Sequence, residues 1–313
     1  MEFTYADVRA AQPIVERHLP PTPLWSYPVL DRAVGANVLV KHENTQPVGA
    51  FKVRGGLTLL DSLPPGRGTI TYSTGNHALS MAYASSRAGV PCTVVMPAAA
   101  NPAKADAVRA WGAEVVLTGA DLGAAQAYAE RAAAETGALL VSPGDTPALL
   151  AGVGTLYQEL FTAAPDLDAV VVPVGSGTGA AAAIVVAREL APRCAVIAVQ
   201  STASRAAYDS WATGQLVERP NRTRVDGLAT GRGFALPQRL MGGGLKDFVL
   251  VTDEQIAGAQ RLLATHAHTL AEGAGAAALA AVTTRPDLFQ GRRVAIVCTG
   301  GNASKAELAE LVQ

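Results

Sequence analysis

From residue 38 onward, short runs rich in β-branched residues alternate with longer, alanine-rich stretches of helical spacing. Strands are expected at 38–41, 69–73, 93–96, 114–118, 169–174, 195–200, 248–252 and 294–298. Helices are expected at 50–61, 76–88, 102–111, 122–136, 148–160, 177–190, 204–212, 253–265 and 273–282. That rhythm commits the chain to βα units, and βα units build parallel sheets with helices on their faces. A compact set of four strands between about residues 68 and 145 is bounded by proline and glycine in PPGRG and SPGDTP. The expectation is an α/β protein with two open, mainly parallel sheets flanked by helices. A small domain, 68–145, is inserted in a larger one formed by 1–67 and 146–313, with a ligand in the crevice between them.

Composition removes several classes of function. With 25 basic and 26 acidic residues scattered along 313, the net charge of −1 offers neither a nucleic-acid footprint nor a patch for anionic membranes. Small molecules are the expected partners. Cys92, Cys194 and Cys298 are odd in number and widely spaced, which suits reduced thiols and supplies no zinc motif. The first residues, MEFTYADVRAAQ, lack the apolar core of a signal peptide, and no run reaches the ~18 apolar residues of a membrane span. A soluble, cytoplasmic protein is expected. His266 and His268 read as surface or helix-end residues.

Four segments carry chemistry. In GAFKVRGG, Lys52 follows Phe51 and precedes Val53, whose apolar side chains would help desolvate its amine; a lysine must lose its proton to do covalent work, so Lys52 is a candidate Schiff-base lysine. In VVVPVGSGTGAAAA, a strand runs through Gly175, Ser176, Gly177, Thr178 and Gly179 directly into a helix. Glycines let the backbone approach an anion, the free N–H groups point inward, and the helix dipole adds positive charge; the loop reads as a phosphate cradle. Gly175, Gly177 and Ala180 also satisfy the loose dinucleotide fingerprint, but the next strand ends in Gln200 where a ribose-binding acid is needed. In TYSTGNH, Ser73, Thr74, Gly75, Asn76 and His77 lie where a strand meets a helix, either as an anion site for a substrate carboxylate or as an N-cap with Ser73 or Thr74 as the capping residue. In VCTGGN, a strand delivers Thr299 and breaks at Gly300, Gly301 and Asn302, offering a hydroxyl or simply ending in a turn before a capped helix.

These motifs, GAFKVRG, STGNH, GSGTG and CTGGN, stand in one order along nearly the whole chain, which in that respect resembles the threonine/serine dehydratase family of pyridoxal-phosphate enzymes, the tryptophan synthase beta-like fold type II. The resemblance implies pyridoxal 5'-phosphate as cofactor. Lys52 falls at the Schiff-base lysine, Asn76 at the residue bonding the cofactor's 3-hydroxyl, and Gly175 to Gly179 at the phosphate loop. Thr299 falls at the partner of the pyridine nitrogen, Phe51 beside the ring, and Glu272 in LAEGAGAAAL at an acidic residue near the cofactor. Ser73 to His77 would take the substrate carboxylate. A neutral hydroxyl at Thr299 stabilises a protonated ring weakly and favours prompt loss of a β-leaving group.

The activity so implied is an ammonia-lyase that converts a β-hydroxy amino acid such as L-threonine or L-serine to a 2-keto acid and ammonia, with Lys52 removing the α-proton. A racemase, a threonine-synthase-like enzyme, or a catabolic eliminase acting on hydroxyaspartate or an osmolyte-derived amino acid share the fold. A nicotinamide-dependent oxidoreductase and a cofactor-free amino-acid-binding protein are the alternatives from other classes. Three departures from the family pattern matter. Ala50 replaces a common serine, and Thr74 stands where the racemase branch places a catalytic serine. Gln200 and Ala206 occupy the positions of an acidic pair that would hold a divalent metal, so no tightly bound metal is expected. The resemblance also implies a homodimer. The chain ends at Gln313 with no room for a regulatory domain, so no feedback inhibition by isoleucine is expected.

Overall fold

A computed structural model describes residues 3–64 and 66–311; Pro65 of the PPGRG joint and the two ends of the chain lie outside it. Its strands are β1 (Leu24–Ser26), β2 (Asn37–His42), β3 (Thr69–Tyr72), β4 (Cys92–Met96), β5 (Glu114–Leu117), β6 (Leu139–Val141), β7 (Ala169–Pro173), β8 (Ala195–Ser201), β9 (Asp247–Val251) and β10 (Arg293–Cys298). They form two sheets, one in the order β1-β2-β10-β7-β8-β9 and the other β5-β4-β3-β6. Every pairing is parallel except β1 against β2. The fold is thus the α/β architecture of two mainly parallel sheets flanked by helices.

The hydrophobic pattern explains why the larger sheet is covered twice. In β7, Val170 and Val172 face the alanine-rich helix Thr178–Leu190 and Leu156 and Tyr157 of the helix Pro147–Ala163. Ala169 and Val171 belong to the opposite layer, with Ala276 to Ala281 of the helix Gly273–Thr284. A strand buried on both faces needs apolar residues at every position, and AVVVP supplies them. In the smaller sheet the helix Asn76–Ala88 packs with Val94 and Met96 on one face, while the helix Leu122–Thr136 covers Ile70, Tyr72 and Val95 on the other.

Several elements differ from the sequence expectation at their ends or were not placed by it. The helix expected from residue 50 begins at Val53, because Ala50 is engaged in a bridge with Gly300 and Phe51 donates its N–H to the Thr299 carbonyl at 3.0 Å. The fourth strand of the small sheet is β6, only three residues long. The helices Tyr5–Glu16, Pro28–Val34, Ala235–Gly242, Pro286–Phe289 and Lys305–Leu311 and the edge strand β1 complete the set.

Next to the Lys52 segment lies a buried charge network. Arg54 grips Glu43 through two 2.8 Å bonds, Nε to Oε2 and Nη2 to Oε1, and reaches Glu159 Oε1 at 2.6 Å. Lys41 closes the network, 2.5 Å from Glu159 Oε2 and 2.9 Å from the Thr22 carbonyl. It ties the end of β2 and the helix Val53–Asp61 to the helix Pro147–Ala163.

Candidate active site

The C-terminal ends of β3, β7 and β10 point into one cavity, as the ends of parallel strands do in open α/β sheets. Its walls contain all of Phe51, Lys52, Ser73, Thr74, Gly75, Asn76, His77, Gly175, Ser176, Gly177, Thr178, Gly179, Glu272 and Thr299. Five segments far apart in sequence therefore meet, and every residue expected at the site lines the same space.

Lys52 is the pivot. Its Nζ donates to Ser176 Oγ and to Thr178 Oγ1, each at 3.0 Å, so the amine rests on the hydroxyls of the glycine loop. Burial pushes its pKa down to about 8, with no carboxylate to hold the charge. The carbonyl of Lys52 accepts a 2.5 Å bond from Ser80 Oγ, which fixes the lysine's backbone against the helix Asn76–Ala88.

The glycine loop is shaped as an anion site. A side chain at Gly175 would put a Cβ 2.2 Å from the Gly227 carbonyl, so that position admits glycine only. Gly177 has φ +89° and is the N-cap of the helix Thr178–Leu190, with no side chain capping it. The first N–H groups of that helix lack intrahelical partners, and Gly177, Thr178 and Gly179 line the cavity beside the Ser176 hydroxyl. A phosphate fits this donor set, and the aldehyde of pyridoxal phosphate fits a desolvated lysine amine beside it.

At the STGNH turn the structure decides between two expectations. Neither Ser73 nor Thr74 caps the helix Asn76–Ala88: its N-cap is Gly75, without a side-chain bond, and Ser73 Oγ accepts from the Gly75 N–H at 3.2 Å. The helix N-terminus is left open to a ligand. His77 is turned away from that task; its Nε2 pairs with Thr71 Oγ1 at 2.9 Å, and burial, helped by the charge of Lys52, pushes its pKa down to about 3. It stays neutral.

Asn76 is oriented at both ends of its carboxamide. Oδ1 accepts from Asn302 Nδ2 at 2.9 Å, and Nδ2 donates to Glu272 Oε1 at 2.5 Å, which leaves one N–H for a ligand. Asn302 is itself anchored on the Val48 carbonyl at 2.8 Å. Burial drives the Glu272 carboxyl up to about 7 in spite of the Asn76 bond. Beyond Thr299, Ser304 caps the last helix by accepting from the Glu307 N–H at 3.2 Å, so the glycine turn serves both the site and the cap. Gln200, at the position of a metal-site acid, accepts from the Tyr208 N–H at 3.1 Å.

Sequence reasoning did not find other residues of the cavity wall, among them Tyr72, Leu122, Pro143, Thr230 and Phe234. Apolar residues at strand ends and helix starts carry no local mark that separates a pocket wall from a core. Nor did it find that Lys104, from the helix Pro102–Arg109, pairs with Asp226 across the two sheets.

Comparison with known proteins agrees with this geometry. The family described as pyridoxal-phosphate dependent enzyme matches residues 15–300. A beta-hydroxyaspartate dehydratase of Paracoccus denitrificans is 33% identical over 309 residues, covering 97% of this chain and 98% of that protein. An L-threonine ammonia-lyase of Geobacter sulfurreducens is 37% identical over 90% of this chain and 71% of its own length. Among solved structures, maize serine racemase superposes with a TM-score of 0.93 at 26% identity, covering 100% of this chain and 97% of that one. The dinucleotide alternative for the glycine loop falls away. The chain belongs to the pyridoxal-phosphate-dependent enzymes of fold type II, in the threonine/serine dehydratase family.

Proposed function

We propose that the protein is an ammonia-lyase that removes the β-hydroxyl and the amino group of a small β-hydroxy amino acid, releasing a 2-keto acid and ammonium. The observation that carries this reading is the placement of Lys52: a buried amine held on Ser176 and Thr178, without an acidic partner, in a cavity shared with the open helix terminus at Ser73 to His77. Pyridoxal phosphate, when bound, supplies a carbonyl that takes the substrate amine and a ring that accepts electrons from its Cα. Lys52 would hold the aldehyde, the loop from Gly175 to Gly179 the phosphate, Asn76 the 3-oxygen, and Thr299 the ring nitrogen, with Phe51 and Glu272 beside them. The substrate carboxylate would settle on the N–H groups of the STGNH turn, where the helix dipole favours an anion.

Once displaced by substrate, the Lys52 amine is the base for the α-proton: a group near 8 exchanges protons readily at neutral pH. Thr74 is the residue assigned to the opposite side of the substrate, where its hydroxyl serves as a proton donor or acceptor. The relatives named above include both hydroxyaspartate and threonine enzymes, and the substrate is taken to be serine, threonine or 3-hydroxyaspartate. Assembly as a homodimer in the cytoplasm is the arrangement proposed for it.

The test is a spectrum and a screen. The purified protein should absorb in the visible through its lysine-bound cofactor, and Lys52→Ala should lose both that absorbance and ammonia release. Full turnover by K52A would overturn the role of Lys52. Formation of the D-amino acid without ammonia would replace the lyase reading with racemisation.

A further inference from the structure

The cavity is walled in part by Tyr72, Leu122, Pro143, Thr230 and Phe234, and against the Phe234 ring rests an exposed cation that the reaction described above does not use. Arg232 lies in the glycine-flanked segment Gly231 to Gly233, its guanidinium carbon 5.6 Å from the centroid of the Phe234 ring. Its Nη2 reaches across the cleft to Gln126 Oε1 at 2.9 Å, on the helix Leu122–Thr136 that also provides Leu122 to the wall. The Gln126 amide is set in that orientation by its own 2.7 Å donation to Glu130 Oε1.

Charge balance singles out Arg232. Lys52 is committed to the cofactor, and Lys104 is neutralised by Asp226. Among the described residues Arg232 forms no salt bridge; its partner at the rim is a neutral amide oxygen. A guanidinium that bonds one neutral acceptor keeps most of its five donors free, and its planar fork matches a carboxylate with two oxygens. The neighbouring backbone is held by the Glu218–Arg232 bridge and by the Arg219 N–H on the Gly231 carbonyl at 2.9 Å, so the segment is anchored while its side chain lies between Phe234 and Gln126.

We propose that Arg232 is a specificity residue that receives a second anionic group at the far end of the substrate side chain, so that the preferred substrate is a β-hydroxy amino acid carrying a distal carboxylate. This rests on the ammonia-lyase reading and narrows its substrate class. The amino acid's own carboxylate takes the STGNH turn, and the distal one exchanges the Gln126 amide oxygen for itself on Arg232. Phe234 backs the guanidinium, and Gln126 holds it in place until substrate arrives.

The test uses the holoenzyme, with Arg232→Gln and Arg232→Lys. Ammonia release is measured from 3-hydroxyaspartate, serine and threonine, and melting is followed while succinate is titrated in as an unreactive dicarboxylate. R232Q is expected to raise KM for 3-hydroxyaspartate roughly tenfold or more, the scale of one lost charged hydrogen-bond pair. Its kcat/KM for serine and threonine should be unchanged, R232K should recover part of the loss, and succinate should stabilise the wild type but not R232Q. An unchanged KM for 3-hydroxyaspartate in R232Q overturns the proposal. So does an equal loss on all three substrates, which would mark Arg232 as a support of its loop. A wild type that releases ammonia from none of the three counts against the lyase reading, and the succinate titration then judges Arg232 separately.

Discussion

Glu272 is the residue whose titration the structure ties most closely to the site. Its carboxyl is raised from 4.5 to about 7, first by burial, with Glu307 adding to the rise and Asn76 and Lys104 opposing it. Between those two values the folded protein holds a proton that the unfolded chain has released. The stability linked to it is therefore fully present below about 4.5 and is lost as pH rises through about 7. Glu272→Gln keeps an oxygen for Asn76 and removes the titration. In urea unfolding of the cofactor-free protein, E272Q should match the wild type at pH 4.5 and exceed it at pH 8 by on the order of 3 kcal/mol. A constant gap between the two across that range would show that the carboxyl does not titrate there. Residues of this kind were legible in the sequence to different degrees. The loop from Gly175 to Gly179 stood out, because such a run of glycines between a buried strand and a helix is seldom needed for turning alone, whereas Lys52 by itself reads as ordinary surface charge and gained weight only from the three motifs that accompany it. Glu272 came from resemblance alone, since nothing in AEGAG says that its carboxyl is buried against Asn76.

At the scale of elements, the central strands and long helices were legible because their periodicity persists for enough residues to be read. Three-residue strands such as β1 and β6 carry no period, and the helix Ala235–Gly242 is hidden by Pro237 and by the glycines after it. The helix Tyr5–Glu16 contains Pro13 and was likewise not placed. The charge network that binds the helix Val53–Asp61 to the helix Pro147–Ala163 was also invisible, because Lys41, Glu43 and Arg54 look like surface charges until the strands beside them are paired. Burial weakens the charged forms of Arg54 and Glu43, but their mutual contact more than offsets it: Arg54 is held above its ordinary value and Glu43 below. Such a network adds little net stability because its charges are desolvated, yet removing one member leaves the others uncompensated. Arg54→Met should therefore cost about 3–5 kcal/mol in denaturant unfolding. By contrast, Arg17→Ala, at the exposed pair with Asp61 where the side chains are 55% and 39% accessible, should cost under about 1 kcal/mol. Equal costs for the two would mean that burial of the Arg54 network has no energetic consequence.

For the molecule as a whole, the decisive arrangement is two sheets that share one cavity, joined by the apolar packing of the helix Val53–Asp61 on the helix Asn76–Ala88 and by the Asn76 bonds, with polar contacts at the rim. Lys104 meets Asp226, Arg232 meets Gln126, and the Leu236 N–H donates to Asp145 Oδ1 at 2.9 Å. Each rim contact is partly exposed, and the Asp226 side chain is 58% accessible, so none of the three holds the rim strongly. A cleft spanned in this way is expected to open for substrate and close over it at little cost. Asp226→Asn removes the attraction to Lys104 while keeping the shape of the turn. KM for the best substrate should rise by less than about tenfold, since an exposed pair contributes at most about 1 kcal/mol. The ratio of D226N to wild-type KM should fall toward one in 1 M salt, where screening acts over about 3 Å and the wild-type pair is itself weakened. Lys104→Gln should give the same salt-dependent ratio, and in addition a higher pKa at Glu272, because Lys104 is one of the charges that hold that carboxyl down. Steady-state kinetics of the two variants at low and high salt separate the alternatives. A D226N effect that persists undiminished at 1 M salt would make Asp226 a direct contact of the substrate, and the latch between the sheets would have to be sought in the Arg232 and Asp145 contacts instead.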